Sequence, residues 1–220
     1  MDPASRGPDN LIKEERMKKT KEEASQTRQA VLAAALKTFG KYRYSGTSLE
    51  AVAKEAGMTR GAIYWHFKNK CELLHAVIED GHKKAEDRIN RVLQSTDSPL
   101  KKIRQLILEF FLIISGDDEF RVMEELLVFK IQRKKESIRL YTEHMKHVSE
   151  IKAMMKKLIL EGISIGEIDS NVDPEIVVVA WISFVAGIKT AWLSDVTKLS
   201  LKENAGNLAD ILINGLARRS

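Results

Sequence analysis

The sequence is poor in cysteine, proline and aromatic residues, and it has no long apolar run without a charge. It contains one cysteine and four prolines among 220 residues, and aromatic residues make up 6%. A single cysteine, Cys71, can form neither an internal disulfide nor a zinc cage, so a disulfide scaffold is excluded. The longest apolar stretch without a charge, Ile176 to Ile188, has 13 residues, fewer than the roughly 20 that span a bilayer. We therefore expect a cytoplasmic protein without a transmembrane helix.

The charge that is present is unevenly distributed. Residues 1–70 carry 14 Lys and Arg against 8 Asp and Glu, whereas residues 71–220 carry 22 against 23. The net charge of +5 therefore comes from the N-terminal third of the chain. A basic module attached to a neutral body is typical of a protein that binds a polyanion, although a solvated basic surface gives the same count.

Apolar residues recur at helical spacing along most of the chain, and no stretch alternates with a period of two. This pattern predicts an all-α fold. The first helix is expected to end near Tyr42, and a long later helix to end between Gly162 and Gly166. The other expected helices are Thr47 to Gly57, Thr59 to Phe67, one continuing to Gln94, and four more that begin near Pro99, Glu119, Asp173 and Ser200.

The most informative stretch is Thr47 to Phe67. Thr47 and Glu50 have the spacing of a capping box, in which the hydroxyl and the carboxylate each accept a backbone N–H. Ala53 is small where two helices would cross, and Gly57 suits the turn between them. The residues expected to pack the two helices together are Val52, Ala56, Met58 and Ile63, and Phe67 is expected to pack against the helix that follows. This spacing predicts a helix-turn-helix whose second helix enters the major groove of DNA.

The second helix carries side chains suited to DNA. Arg60 can donate two hydrogen bonds to the O6 and N7 atoms of guanine. Gly61 and Ala62 allow close approach of the backbone, and Tyr64 and Trp65 offer hydroxyl and apolar contacts, with packing as the alternative. The residues expected at phosphates are Thr47, Thr59, His66, Lys68 and Lys70.

These residues carry a resemblance to a known family. The run Thr59 to Lys70, preceded by Thr47 to Leu49 and Ala53 to Gly57, resembles the DNA-binding signature of TetR-family transcriptional regulators. Upstream, Lys18 to Glu23 and Thr27 to Gln29 are similar to the AcrR-type branch of multidrug-efflux repressors. The close resemblance ends near residue 75, and it departs from the family at Cys71, where an acidic residue is usual.

The resemblance implies a ligand-responsive repressor that binds a palindromic operator as a homodimer and releases it when a small apolar or cationic inducer binds. It implies no cofactor. The expected organisation is a leader over residues 1–16 before an internal start at Met17, a three-helix DNA-binding domain with the helix-turn-helix over residues 17–70, and a helical ligand-binding and dimerisation domain over residues 71–220. A constitutive DNA-binding regulator without an inducer is the alternative.

The helix that begins at Asp173 is apolar on nearly all sides, so it must be covered on both. We expect one side to pack within the chain and the other on a second copy, with burial in a monomer as the alternative. The resemblance implies that the last two helices pair as a four-helix bundle across the twofold axis. The residues expected at that interface are Val178, Ile182, Val185, Trp192, Leu208 and Leu212.

Ligand-binding residues are predicted from aromatic and methionine side chains, which can line a cavity for apolar molecules but also fill ordinary cores. For a cationic inducer, Glu109 and Glu124 are the expected carboxylates. The other expected residues are Phe110, Phe111, Ile114, Phe120, Met123, Met155 and Trp181.

Three patterns suggest catalysis. Gly162 to Gly166 matches the G-x-S-x-G motif around Ser164, but that motif requires a strand before it, so we interpret it as a helix end. His144 and His147 lack an evident third metal ligand and are interpreted as solvated. Cys71 precedes His75 by one turn without an orienting third group. We expect no enzyme and no metal site, with an enzyme using Ser164 or Cys71 as the competing hypothesis.

Overall fold

The structure, a computed structural model, describes residues 8–130, 138–195 and 199–216. Within those ranges the chain is α-helical apart from turns and one π-helical segment, and it has no strand, which confirms the predicted all-α fold. The helices are α1 (Pro8–Gly46), α2 (Leu49–Glu55), α3 (Arg60–His66), α4 (Lys70–Gln94), α5 (Pro99–Gly116), α6 (Asp118–Glu125), the π-helical segment (Leu126–Lys130), α7 (Ile138–Ser164), α8 (Pro174–Ser194) and α9 (Leu201–Asn214).

The chain forms two compact units, Met1–Val77 and Ile78–Ser220, and the division falls inside α4. The predicted domain boundary at residue 70 coincides with the first residue of that helix. Residues 8–16, assigned to a leader, have a helical backbone that continues into α1, and their Lys, Glu, Arg and Leu residues favour a helix. The rest of that leader, residues 1–7, lies outside the described residues.

The first unit packs α1 against α2, and α2 against α3. The apolar stripe of α1, which includes Leu32 and Phe39, is buried, as are Val52 on α2 and Ile63 on α3. Phe67, just after α3, is also buried, so the prediction that it packs in the core is confirmed. This core fixes the orientation of α2 and α3 and leaves their opposite faces to solvent.

The second unit is built around α5, which pairs most extensively with α9 and also packs on α6 and α7. The Arg104 guanidinium on α5 donates to both carboxylate oxygens of Asp210 on α9, at 2.6 and 3.1 Å. Fully buried side chains, among them Phe111 and Met155, fill the centre of this unit. The second unit thus has its own hydrophobic core.

Local signals placed several helix ends correctly. Pro99 is the first residue of α5, and Asp173 and Ser200 cap α8 and α9 through their side chains. The helix predicted from Glu119 to Arg133 differs, because α6 ends at Glu125 and gives way to the π-helical segment. Residues 131–137, which include the end of that prediction, are not among those described.

The helix α8 is long and apolar enough to cross a membrane, judged by length and composition alone. The charge-free apolar run within this helix has only 13 residues, because Lys189 interrupts an apolar helix that is longer than the run. The core helix of a soluble protein passes the same test. In this structure the Lys189 ammonium is paired with the carboxylate of Glu124.

Candidate functional site

The turn between α2 and α3 is set by local geometry. Gly57 adopts a φ of 66°, a left-handed conformation that only glycine enters at low steric cost. Thr59 caps α3, its hydroxyl accepting from the Ala62 N–H at 3.3 Å. The α2 helix is capped by Ser48, whose hydroxyl accepts from the Ala51 N–H at 3.2 Å. The predicted capping box, which assigned this role to the preceding threonine, is therefore wrong by one residue.

Thr47 instead belongs to the junction between α1 and α2. Its side chain is buried, and its hydroxyl donates to the carbonyl oxygen of Arg43 at 2.9 Å, with the Thr38 carbonyl at 3.3 Å. A buried hydroxyl committed to backbone carbonyls is not available to a phosphate. The expected phosphate contact of this side chain does not fit the structure.

Lys70 is also directed inwards. Its ammonium donates to the carbonyl oxygens of Tyr44 at 2.7 Å and Thr47 at 2.8 Å, and lies 4.5 Å from the Tyr44 ring centroid. A lysine ammonium has three donors, and these carbonyls belong to the last turn of α1 and to the residue before the N-cap of α2. The side chain therefore ties the start of α4 to the entry of the helix-turn-helix, a role that the sequence reading missed.

The outer face of α3 is open to solvent. The Arg60 side chain is 69% exposed, and Trp65 and Tyr64 are 78% and 41% exposed. Gly61 is exposed as well, and Ala62 is partly exposed. The structure thus leaves the predicted base-reading residues at least partly exposed on one helix of the first unit, whereas Ile63 on that helix is buried.

A carboxylate from α2 reaches this face. Glu50 Oε1 accepts from Arg60 Nη2 at 3.0 Å and from the Tyr64 hydroxyl at 3.2 Å. The backbone N–H of Glu50 itself and the Ser48 hydroxyl, with a smaller contribution from Arg60, hold the pKa of the Glu50 carboxyl below its usual range. Sequence reasoning assigned this side chain to a helix cap, because its contact with α3 depends on how the two helices cross.

The remaining predicted phosphate ligands differ in exposure. Lys68 is exposed and Thr59 is exposed beside the start of α3, whereas His66 is half-buried with its ring edge-on to that of Trp65, 4.8 Å between centroids. The Lys68 N–H donates to the Glu72 carboxylate at 2.8 Å. Glu72 thus supplies an acidic group to the first turn of α4, which compensates for the cysteine at position 71, where an acidic residue is usual in the family that the sequence resembles.

Polar side chains also meet inside the second unit. Lys189 Nζ on α8 donates to Glu124 Oε2 on α6 at 2.7 Å, and both side chains are largely buried. The ring of His82 on α4 stacks on that of His147, 4.2 Å between centroids, and lies 6.4 Å from that of His144. We call these five residues the buried polar cluster. Such convergence of polar groups in an apolar helical body is typical of a ligand site.

The surroundings of the cluster disfavour the charged form of two of its imidazoles, those of His82 and His144. Burial, followed by the fields of His147, His144 and Lys189, lowers the pKa of His82 to about 3. Burial also lowers the pKa of His144, and its Nδ1 atom is buried with no hydrogen-bond partner among the residues that the structure describes. The interpretation of His144 and His147 as solvated is therefore wrong, because both rings are partly covered. His82 shares the apolar stripe of α4, a signal that could have found it.

The predicted ligand-binding residues all lie in this unit, half-buried or buried. Phe110 contacts Phe120 and Phe111, with ring centroids 6.3 and 5.8 Å apart, and the Lys189 ammonium lies 5.9 Å from its ring centroid. Glu109 accepts from Gln105 at 3.0 Å. The other predicted side chains are buried: Ile114, Met123, Glu124, Met155 and Trp181. The buried indole N–H of Trp181 finds no hydrogen-bond acceptor within the described ranges.

The predicted dimerisation residues divide into two sets. Val178, Val185 and Trp192 are buried within one copy of the chain, whereas Ile182, Leu208 and Leu212 are partly exposed. The opposite side of α8 presents an exposed stripe of mostly apolar or small residues, which we call the α8 stripe. Its members are Ile176, Val179, Ala180, Ser183, Ala186, Gly187 and Ala191.

The pattern around Ser164 is a helix end, as predicted. Ser164 is the last residue of α7, and its hydroxyl donates to the Glu161 carbonyl at 2.7 Å. Gly166 follows with a φ of 78°. In the part of the chain that the structure describes, no group of three or more His, Cys, Asp or Glu side chains is arranged to hold a metal ion.

Comparison with known proteins gives two matches along the chain. Residues 31–77 match the family described as bacterial regulatory proteins, tetR family, and residues 98–217 match the C-terminal region of MAATS-type transcriptional repressors. The HTH-type transcriptional regulator TtgR of Pseudomonas putida is 31% identical over 179 residues, 80% of this chain and 85% of TtgR. AcrR of Shigella flexneri, also an HTH-type transcriptional regulator, is 34% identical over 116 residues, 52% of this chain and 54% of AcrR.

A solved structure extends the similarity to three dimensions. NalD, the secondary repressor of the MexAB-OprM multidrug efflux pump in Pseudomonas aeruginosa, aligns with a TM-score of 0.78 at 27% sequence identity. The alignment covers 90% of this chain and 100% of the NalD chain.

Proposed function

The chain belongs to the TetR family of bacterial regulatory proteins, and from that premise we propose that it is a ligand-responsive transcriptional repressor of a drug-efflux or related operon, acting in the cytoplasm. Its relatives TtgR and AcrR are transcriptional regulators, and NalD represses a multidrug efflux pump. The family comprises regulators rather than enzymes. The Ser164 hydroxyl donates to the backbone carbonyl oxygen of Glu161 at the end of α7, which does not favour the competing hypothesis of an enzyme using Ser164.

The observation that carries the proposal is the exposed face of α3. Its inner side is held by buried Ile63, and its outer side presents Arg60, Tyr64 and Trp65 to solvent. In this proposal Arg60 reads a guanine, while Thr59, His66 and Lys68 lie near phosphates. The two other expected phosphate ligands, Thr47 and Lys70, have structural roles instead.

We propose that the operator is palindromic because the protein acts as a homodimer. The α8 stripe is an exposed surface of small and apolar side chains, and Ile211 on α9 is 65% exposed. Glycine and alanine on a helix face allow a second helix to approach closely. Pairing of α8 and α9 with their symmetry mates would cover both surfaces. A palindromic operator requires the two copies of α3 to lie one helical turn of DNA apart, about 34 Å.

A selection experiment tests DNA recognition directly. The purified chain is incubated with a pool of randomised duplex DNA, and the bound fragments are sequenced. We expect enrichment of an inverted repeat with half-site centres about 10 base pairs apart. Recovery of fragments without a shared sequence would contradict the proposal.

For the inducer we propose a small molecule recognised next to the buried polar cluster and the aromatic side chains around Phe110. Both carboxylates expected to meet a cationic inducer already have partners, since Glu124 is paired with Lys189 and Glu109 with Gln105. A cationic inducer would therefore compete with Lys189 for Glu124. Release of DNA would follow if the inducer binds better to the conformation in which the two α3 helices no longer fit successive grooves.

Operator affinity measured with and without a panel of apolar and cationic compounds tests induction. We expect at least one compound to weaken binding to the selected operator while leaving the unfolding temperature unchanged or raised. A constitutive regulator is the second candidate, and full burial of Phe111, Met123 and Met155 by their own packing favours it. Operator affinity that no compound changes would support that candidate.

A further inference from the structure

A negative charge lies on the face that we propose meets DNA. One oxygen of Glu50 accepts from both Arg60 and Tyr64, at 3.0 and 3.2 Å, and the guanidinium carbon of Arg60 lies 5.3 Å from the Tyr64 ring centroid. The three side chains join α2 to α3 at the protein surface. The Glu50 side chain is itself 45% exposed, so the carboxylate would face the phosphate backbone together with the arginine.

The ion pair with Arg60 does not by itself account for a carboxylate at this position, although a negative charge in the first turn of α2 favours that helix. Exposed ion pairs contribute little to folding, because water screens them and both side chains lose freedom. A carboxylate beside DNA also repels the phosphates that supply most of the non-specific affinity. Apart from its place in the first turn of α2, this carboxylate therefore weakens binding to DNA in general, and that loss of affinity is useful where it improves discrimination between sequences.

The contact also limits what Arg60 can do. A guanidinium carries five N–H donors in a rigid fork, and the hydrogen bond to Glu50 uses one side of that fork. An unrestrained arginine on an exposed helix can turn to any nearby phosphate, which gives affinity without sequence information. An arginine held by Glu50 points its remaining N–H donors in one direction. Two of those donors can then bind the O6 and N7 acceptors of a guanine.

We propose that Glu50 is a specificity-determining residue, which positions Arg60 for a base edge and disfavours its use as a phosphate ligand. The inference rests on the proposed function in DNA binding. It predicts that Glu50 lowers the affinity for random DNA more than the affinity for the operator. In this proposal Glu50 changes the ratio of the two affinities by orienting Arg60, and not by repelling all DNA equally through its negative charge.

The test compares the ratio of affinities for two duplexes of equal length, the inverted repeat enriched by the wild-type chain and a scrambled version of it. We expect Glu50→Ala to bind the scrambled duplex more tightly, with a steeper dependence on salt, and to lower the affinity ratio by about threefold to tenfold. Preference at the base pair read by Arg60 should relax in a repeated selection. No change in the ratio would overturn the inference.

Glu55 provides a matched control. It lies on the same helix α2 and forms a similar exposed ion pair, but its partner Lys37 lies on α1 and not on α3. Glu55→Ala removes the same charge and should leave the affinity ratio close to that of the wild type. An equal loss of discrimination in both variants would show a general charge effect and would overturn a positioning role.

A double-mutant cycle tests whether the effect passes through Arg60. In the Arg60→Ala background, Glu50→Ala should leave the affinity ratio unchanged, and an undiminished effect there would refute the inference. Glu50→Asp is the second variant if Glu50→Ala does not fold, because it keeps the charge but shortens the reach to α3. The proposed function fails separately, when the wild-type chain itself shows no sequence preference.

Discussion

The ammonium of Lys70 donates a hydrogen bond to the backbone carbonyl oxygen of Thr47 at 2.8 Å, joining the first residue of α4 to the residue before the cap of α2. A second hydrogen bond to the Tyr44 carbonyl makes the side chain a structural cap for the end of α1. A lysine that the sequence places beside DNA is therefore part of the scaffold that holds the helix-turn-helix.

Replacement of Lys70 by methionine should destabilise the fold. The variant keeps most of the apolar stem but leaves partly buried carbonyl oxygens without their charged donor, so we expect a loss of about 1 to 3 kcal/mol in the free energy of unfolding. Urea unfolding followed by circular dichroism measures it. Lys68→Met is the matched control, because Lys68 is exposed, and an equal loss in both variants would contradict the structural role.

Arg60 and Lys68 should affect DNA binding in different ways. Arg60→Ala should weaken operator binding between about fivefold and 150-fold and relax the preference at one base pair in each half-site. Lys68→Ala should weaken binding to operator and random DNA alike and reduce the salt slope by about 1. Titrations of both duplexes at several salt concentrations distinguish the two. Equal effects of Arg60→Ala on both duplexes would refute base reading.

Substitution of the α8 stripe should dissociate the proposed homodimer. Val179 is 58% exposed within one copy of the chain, and an aspartate there would place two charges at a closely packed interface. Sedimentation should show a shift of Val179→Asp towards monomer, with operator binding weakened accordingly. Leu160→Asp alters an exposed apolar residue on α7 and should remain dimeric. A wild-type chain that sediments as a monomer would exclude the dimer.

Acid should weaken the second unit through His82. The pKa of His82 is lowered to about 3 in the folded chain. The unfolded chain therefore binds a proton at this residue near pH 6.5, whereas the folded chain binds it only near pH 3. The stability present at neutral pH is therefore lost as the pH falls through that window. Between pH 7 and pH 5, protonation of His82 in the unfolded chain should lower the free energy of unfolding by about 2 kcal/mol.

The variant His82→Phe keeps a flat ring against His147 but cannot bind a proton. Urea unfolding at pH 7 and pH 5 should show a smaller acid-induced loss of stability in His82→Phe than in the wild type. The same loss in both proteins would contradict the assignment of this pH dependence to His82.

Elements that depend on local signals were predictable from the sequence. Proline at the first helical position located the starts of α5 and α8 because it acts through the adjacent backbone, and at α8 the Asp173 side chain also accepts the Glu175 N–H. The α2 cap was misplaced by one residue, since Thr47 and Ser48 are both good caps and only the tertiary contact of Thr47 with the end of α1 distinguishes them.

The buried polar cluster was only partly predictable. His82, His144, Glu124 and Lys189 come from four helices, and no spacing along the chain relates them. Glu124 was selected as a carboxylate for a cationic ligand, but its partner Lys189 became evident only in three dimensions. The role of Glu50 was missed for the same reason, because its contact with Arg60 depends on the crossing of α2 and α3.

The three tryptophans of the chain occupy very different surroundings. Trp65 is 78% exposed on α3, whereas Trp181 and Trp192 are each 8% exposed on α8. Intrinsic fluorescence consequently contains two separable signals, one at longer wavelength that aqueous quenchers reach and one at shorter wavelength that they do not. A single unlabelled sample can thus report occupancy of the nucleic-acid surface and events beside α8 independently.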